Sequence, residues 1–136
     1  MTGFGQTCDA YHILRPTAEG TGLITAIKSA LHEAGVDIEA GGDANCIDLF
    51  NCHATSTPKG DASEAECIKE VLSQIPHQPS DTKSPLSAVI MANKGNLGHM
   101  VAGAALTESI FAIKAMQTGK VPAIKNLSAD WSCRVT

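Results

Sequence analysis

Apolar residues recur along the chain in two rhythms, and each predicts an element. Between Thr17 and Ala34, the residues Leu23, Ile24, Ile27 and Leu31 fall at helical spacing, and Gly35 supplies the stop. A turn-rich run over 35–45 follows, and CIDLF, residues 46 to 50, then reads as a short strand. Ala65, Ile68, Val71, Leu72 and Ile75 mark a second amphipathic helix, with Asp61 and Glu64 as a capping-box-like pair at its start. HQPSDTKSP, residues 77 to 85, is a polar connection. LSAVIMA, residues 86 to 92, is a nearly all-apolar run of the kind found in a strand covered on both faces. A third helix is predicted from Gly98 to Thr118, apolar almost all round except at Glu108 and Lys114, and closed by Gly119. Its apolar run is too short for a bilayer, which needs about 20 residues, so it is expected at the centre of a layered domain. Strands alternating with helices predict an α/β fold.

Composition narrows this picture. The 136 residues suffice for one domain with a core. Hydrophobic residues at 43% and charged residues at 18% describe a globular chain rather than a disordered one. A net charge of −4, and the lack of a basic stripe interleaved with aromatics, argue against nucleic acid and anionic membrane as partners. The Cys total of 5 is odd and has no CxxC spacing, which fits reduced thiols inside a cell rather than a disulfide framework or a zinc site. No secretory signal or basic amphipathic presequence opens the chain.

Candidate chemistry gathers just past the two predicted strands. His53 follows CIDLF by a few residues, within NCHATSTPKGD, and His99 closes NKGNLGH after the second strand. In α/β sheets, sites collect at the carboxyl ends of strands. Two imidazoles converging there would donate Nε2 hydrogen bonds to one carbonyl oxygen and stabilise an enolate or tetrahedral oxyanion. Lys94 would add positive charge nearby. The plainer reading is two satisfied structural histidines and a solvated lysine, and spacing alone leaves both open. GFG near the start lacks the third glycine and the strand context of a dinucleotide fingerprint, and there is no GxSxG or HExxH.

NCHATSTPKGD resembles the N-A-H-x-T-S-T-P-x-G-D motif of the β-ketoacyl-acyl-carrier-protein synthases, and NKGNLGH resembles their K-x-x-x-G-H motif. DAYHILRPTAEG, AGAALTESI and KVPAIKNL are similar to the flanking segments of that family, so the resemblance covers roughly residues 2 to 127. It implies a thiolase-like layered fold, of which this chain is the C-terminal half lacking the closing strands. Residues 1–127 would be the partial domain, and 128–136 a divergent tail. It implies decarboxylative Claisen condensation of malonyl-acyl-carrier protein with an acyl thioester in fatty acid synthesis. His53 and His99 would stabilise the enolate, and Lys94 would tune the site electrostatically. The carrier's pantetheine arm would bond Thr55 and Thr57. Glu64 would pair with the lysine, Asp61 and Glu64 forming a supporting network. Asn51 and Glu108 match a structural monovalent cation site, with no other cofactor required. Acyl carrier protein is the implied partner, the full-length enzyme a homodimer, and the location the cytoplasm or the mitochondrial matrix rather than outside the cell.

The family also needs a nucleophilic Cys at a strand-to-helix elbow. Cys8, Cys46, Cys67 and Cys133 have no such setting, and Cys52 should point away from His53 across the extended backbone and be buried. The expectation is therefore a piece that starts late and ends early, without the half that carries the nucleophile. The alternative is a non-catalytic fragment or isoform that binds acyl carrier protein or a synthase subunit. A thiolase acting on coenzyme A shares the fold but not the STP-x-GD stretch.

Overall fold

The computed structural model describes residues 2–13, 15–36, 38, 47–75 and 88–127. Its elements are α1 (Thr21–Glu33), β1 (Leu49–Asn51), α2 (Pro58–Gln74), β2 (Val89–Met91), α3 (Lys94–Leu97), a 3₁₀ turn at Val101–Gly103 and α4 (Ala104–Thr118). The two strands are parallel, with Leu49 opposite Val89, Phe50 opposite Ile90 and Asn51 opposite Met91. The ladder extends one bond beyond each end, from Val89 N–H to the Asp48 carbonyl at 2.9 Å and from Cys52 N–H to the Met91 carbonyl at 2.8 Å. Helices and strands alternate, so the α/β expectation holds for the described residues.

The predicted α2 face is the one that packs. Ile68, Leu72 and Ile75 form the buried cluster with Cys52, and Ile27 of α1 with Phe50 and Ile90 of the sheet close around it. Each such aliphatic side chain contributes about 1.5–3 kcal/mol when fully buried, which makes α2 on the sheet the centre of stability. Val71 and Met91 are wholly inside as well.

The segment 2–7 lies along α1, and the GFG sequence gains its explanation there. A Cβ on Gly3 would collide with the Ala30 carbonyl oxygen, and one on Gly5 with that of Ala26. Glycine at both positions lets one backbone lie against the other. The Phe4 N–H donates to the Glu33 carboxylate at 2.7 Å, which fastens the strap.

Three expectations need correction. The first helix starts at Thr21, after Gly20 in the left-handed region, rather than at Thr17. The second starts at Pro58, three residues before Asp61: Thr57 is extended at φ −99°, and proline suits the first helical position. The third is neither continuous nor central. It begins only at Ala104, as α4 after the 3₁₀ turn, because Gly98 (φ 80°) and Val101 (φ 49°) take positive φ, and the short α3 before Gly98 is an element the pattern does not predict. The sheet side of α4 buries Ala104, Glu108 and Ala115, while Leu106, Ile110, Ile113 and Met116 are exposed. An all-round apolar helix needs cover on two sides, and the described residues cover one. The strands occupy 49–51 and 89–91, and residues 46, 76–87 and 128–136, which include the polar connection and the divergent tail, lie outside the described residues.

Candidate functional site

The loop after β1 is held by α2 acting back on it. Glu64 accepts two backbone N–H groups with its two oxygens, His53 at 2.7 Å and Ala54 at 2.9 Å. Asp61 accepts the Thr57 N–H at 3.2 Å, while its own N–H donates to the Thr57 carbonyl at 2.9 Å. Ala54 (φ 39°) and Ser56 (φ 66°) both take the left-handed region, a costly backbone for residues with a Cβ. Two carboxylates therefore fix a strained turn at the point where it presents His53. Thr55, half-buried, and Thr57, exposed, stand on the same turn.

His99 reaches the same place from the other strand. Gly98, at φ 80° and ψ 164°, turns the chain through a conformation that suits glycine alone. The Val101 N–H then donates to His99 Nδ1 at 3.1 Å. An Nδ1 that accepts must be unprotonated, so the neutral ring carries its proton on Nε2 and offers it as a donor. The His53 and His99 rings meet edge to face, with centroids 5.6 Å apart and planes at 86°. Among the described residues no side-chain hydrogen bond holds the His53 ring.

Lys94 lies behind this pair, buried with Glu108. Its ammonium is 2.8 Å from Glu108 Oε1 and 3.0 Å from Oε2. The Asn51 Nδ2 donates to Glu108 Oε2 at 3.4 Å. This corrects one assignment: the carboxylate paired with Lys94 is Glu108, whereas Glu64 accepts from the loop backbone. Both the ammonium and the carboxylate avoid the cost of a lone buried charge by facing each other. The cation beside Asn51 and Glu108 here is thus the Lys94 ammonium. Ligation of a metal ion by this pair would require Asn51 to turn its carbonyl oxygen inward. Among the described residues no three His, Cys, Asp or Glu groups gather as a donor set.

Cys52 faces away from His53, as alternation along the strand demands, and is 7% exposed. Its thiol is pushed up to about 12, first by burial and then by the charges of Glu64 and Asp61. A thiol so disfavoured as thiolate is no nucleophile. Two residues near the site escaped the sequence, of which Val101 takes part in it. Val101 gives no signal, because its role is a backbone N–H. Asn93, buried at 1% with Nδ2 unpartnered among the described residues, has only its place before Lys94 to mark it.

A family model described as the C-terminal domain of beta-ketoacyl synthase matches residues 1–128. The chain belongs to this family. Among similar proteins, the mitochondrial 3-oxoacyl-[acyl-carrier-protein] synthase of Arabidopsis thaliana is 38% identical over 93% of this chain and 25% of its own length. A 3-oxoacyl-[acyl-carrier-protein] synthase homolog of Saccharomyces cerevisiae is 36% identical over 93% of this chain and 26% of its own. The 3-oxoacyl-[acyl-carrier-protein] synthase 2 of Synechocystis sp. is 32% identical over 93% and 27% respectively. The chain thus spans about a quarter of the length of these β-ketoacyl synthase relatives. No helix among the described residues is long and apolar enough to cross a membrane.

Proposed function

We propose that this chain supplies the enolate-stabilising part of a 3-oxoacyl-acyl-carrier-protein synthase. The observation that carries the reading is the paired imidazoles, with His99 fixed as an Nε2–H donor by the Val101 N–H. The thioester carbonyl oxygen of malonyl-acyl-carrier protein accepts hydrogen bonds from Nε2 of His53 and of His99. The bond between the malonyl carboxylate carbon and the α-carbon breaks, its electron pair passes into the enolate, and carbon dioxide leaves. Donors preorganised at a developing oxyanion are worth roughly 3–4 kcal/mol each. The enolate carbon then attacks an acyl thioester carried on a Cys, and the acyl-enzyme C–S bond breaks. Cys52 does not serve, since its thiol is buried and raised to about 12; this reading places that Cys in the part of such a synthase that the chain, about a quarter of its relatives' length, does not span. Thr55 and Thr57, on the turn after His53, would bond the pantetheine arm, and the Lys94–Glu108 pair would support the site from behind.

The layered thiolase-like fold, the homodimer of a full-length enzyme and a site in the mitochondrial matrix or cytoplasm complete this reading. Relatives whose names include the word mitochondrial support the compartment. The open apolar face of α4 favours a second reading, in which the chain works docked on a further synthase segment or subunit and is not catalytic alone.

The deciding experiment is carbon dioxide release from malonyl-acyl-carrier protein, which does not require the acyl-carrying Cys. Release that falls at least a hundredfold in His53→Ala supports the first reading. Folded protein that releases none supports the second.

A further inference from the structure

A cavity of about 450 Å³ lies against the loop that follows His53, lined there by Ala54, Ser56, Thr57 and Pro58. Its apolar wall comes from Cys52, Ile68, Ile90, Ile124 and Leu127, and Asp61 and Glu64 line it too. Neither imidazole is part of it. The volume lies within the range of small-molecule sites, about 300–1,000 Å³, and an apolar body with a few converging polar groups is their usual make-up. We propose that this cavity, which adjoins the site above through Thr57, binds an alkylammonium ion, its tail against Ile68, Ile90 and Ile124 and its head between the Asp61 and Glu64 carboxylates.

The charge argument has two parts. Glu64 accepts two backbone N–H groups and Asp61 one, whereas an ionised carboxylate offers about four acceptor positions, so both keep capacity for a donor head. The charges acting on the Cys52 thiol in the lining point the same way. After burial, Glu64 and Asp61 are what raise the Cys52 thiol, and Lys94 opposes them more weakly. Among the described residues, Lys125 is the one cationic residue in the lining, against two carboxylates. An anionic amphiphile of the same length would meet the same wall and the wrong sign.

Occupancy would be felt at His53. The Glu64 oxygens that would receive the head are those that hold the His53 and Ala54 N–H groups, so an ammonium there competes with the loop for the same carboxylate.

The test uses the whole chain and three probes sharing one tail, decylamine as its ammonium, decan-1-ol and decanoate, each kept monomeric. Titration calorimetry gives affinity, and NMR of the imidazole carbons reports on His53. The amine should bind at least tenfold more tightly than decanoate, with the alcohol between them, and should shift the His53 resonances. Ala65→Leu, which fills part of the lining, should weaken the amine about tenfold. Asp61→Asn should bring it down toward the alcohol, and it serves alone if circular dichroism shows Ala65→Leu unfolded. Absence of binding, decanoate binding as tightly as the amine, or amine binding unchanged in the folded variants would each overturn the proposal. None of these readouts uses a thioester, so the outcome is independent of the condensing reaction.

Discussion

Glu108 and Cys52 are both buried, but burial acts on them in different ways. Glu108 stays charged inside because Lys94 faces it at 2.8 Å. Removing one partner of a buried pair leaves the other uncompensated, which typically costs about 3–5 kcal/mol. Glu108→Gln should therefore lower the unfolding free energy by about that much in urea titrations. A change within about 0.5 kcal/mol would mean that water reaches Lys94. Cys52 has no partner, and burial with the nearby carboxylates raises its thiol from the ordinary 9.0 to about 12. The sign follows directly. Above pH 9 the unfolded chain loses this proton while the folded chain keeps it, so the unfolded state binds fewer protons and stability falls as pH rises. The loss should run between about pH 9 and pH 12 and be smaller in Cys52→Ala, as measured by the pH dependence of the urea midpoint. Parallel curves for the two proteins would place the effect elsewhere.

At the scale of elements, periodicity made α2 legible down to its buried residues, because an amphipathic stripe on a single sheet is what a 3.6-residue rhythm encodes. The same rhythm misjudged residues 98–118. Two positive-φ residues at its start delay that helix to Ala104, and one of them, Val101, is apolar and so looks like any helix residue in a hydrophobic pattern. Lys94 and Glu108 were legible as a lysine beside a strand end and an acid interrupting an apolar run. That they face each other depends on how α3 and α4 pack, which spacing along the chain does not report. Val101 holds its strained backbone to aim one N–H at His99. Val101→Gly keeps that N–H and removes the Cβ that makes φ 49° costly. The variant should be more stable by about 0.5–1 kcal/mol, less the entropy glycine adds to the unfolded chain, with the His99 Nε2–H tautomer retained in ¹⁵N NMR. A destabilised variant that kept the tautomer would show that Val101 packing outweighs its strain.

For the whole molecule, cohesion is uneven. Ile68, Leu72 and Ile75 of α2 are inside, against a sheet of two strands, with α1 closing one side. α4 touches β1 and the 3₁₀ turn but leaves Leu106 71% and Met116 77% exposed. Local opening costs least where few apolar groups are lost from the core, so α4 should open without unfolding α2. Hydrogen exchange on the dilute chain should find the slowest amides at 68–72 and markedly faster ones along 106–116. Raising the protein concentration gives the contrast that matters, because a contiguous exposed apolar face drives association. Protection that rises along 106–116 while 68–72 stays unchanged would show that this face is where the chain finds its cover. Equal protection of both segments at every dilution would instead show that α4 is held by the fold itself, and the docked reading of its function would lose its structural ground.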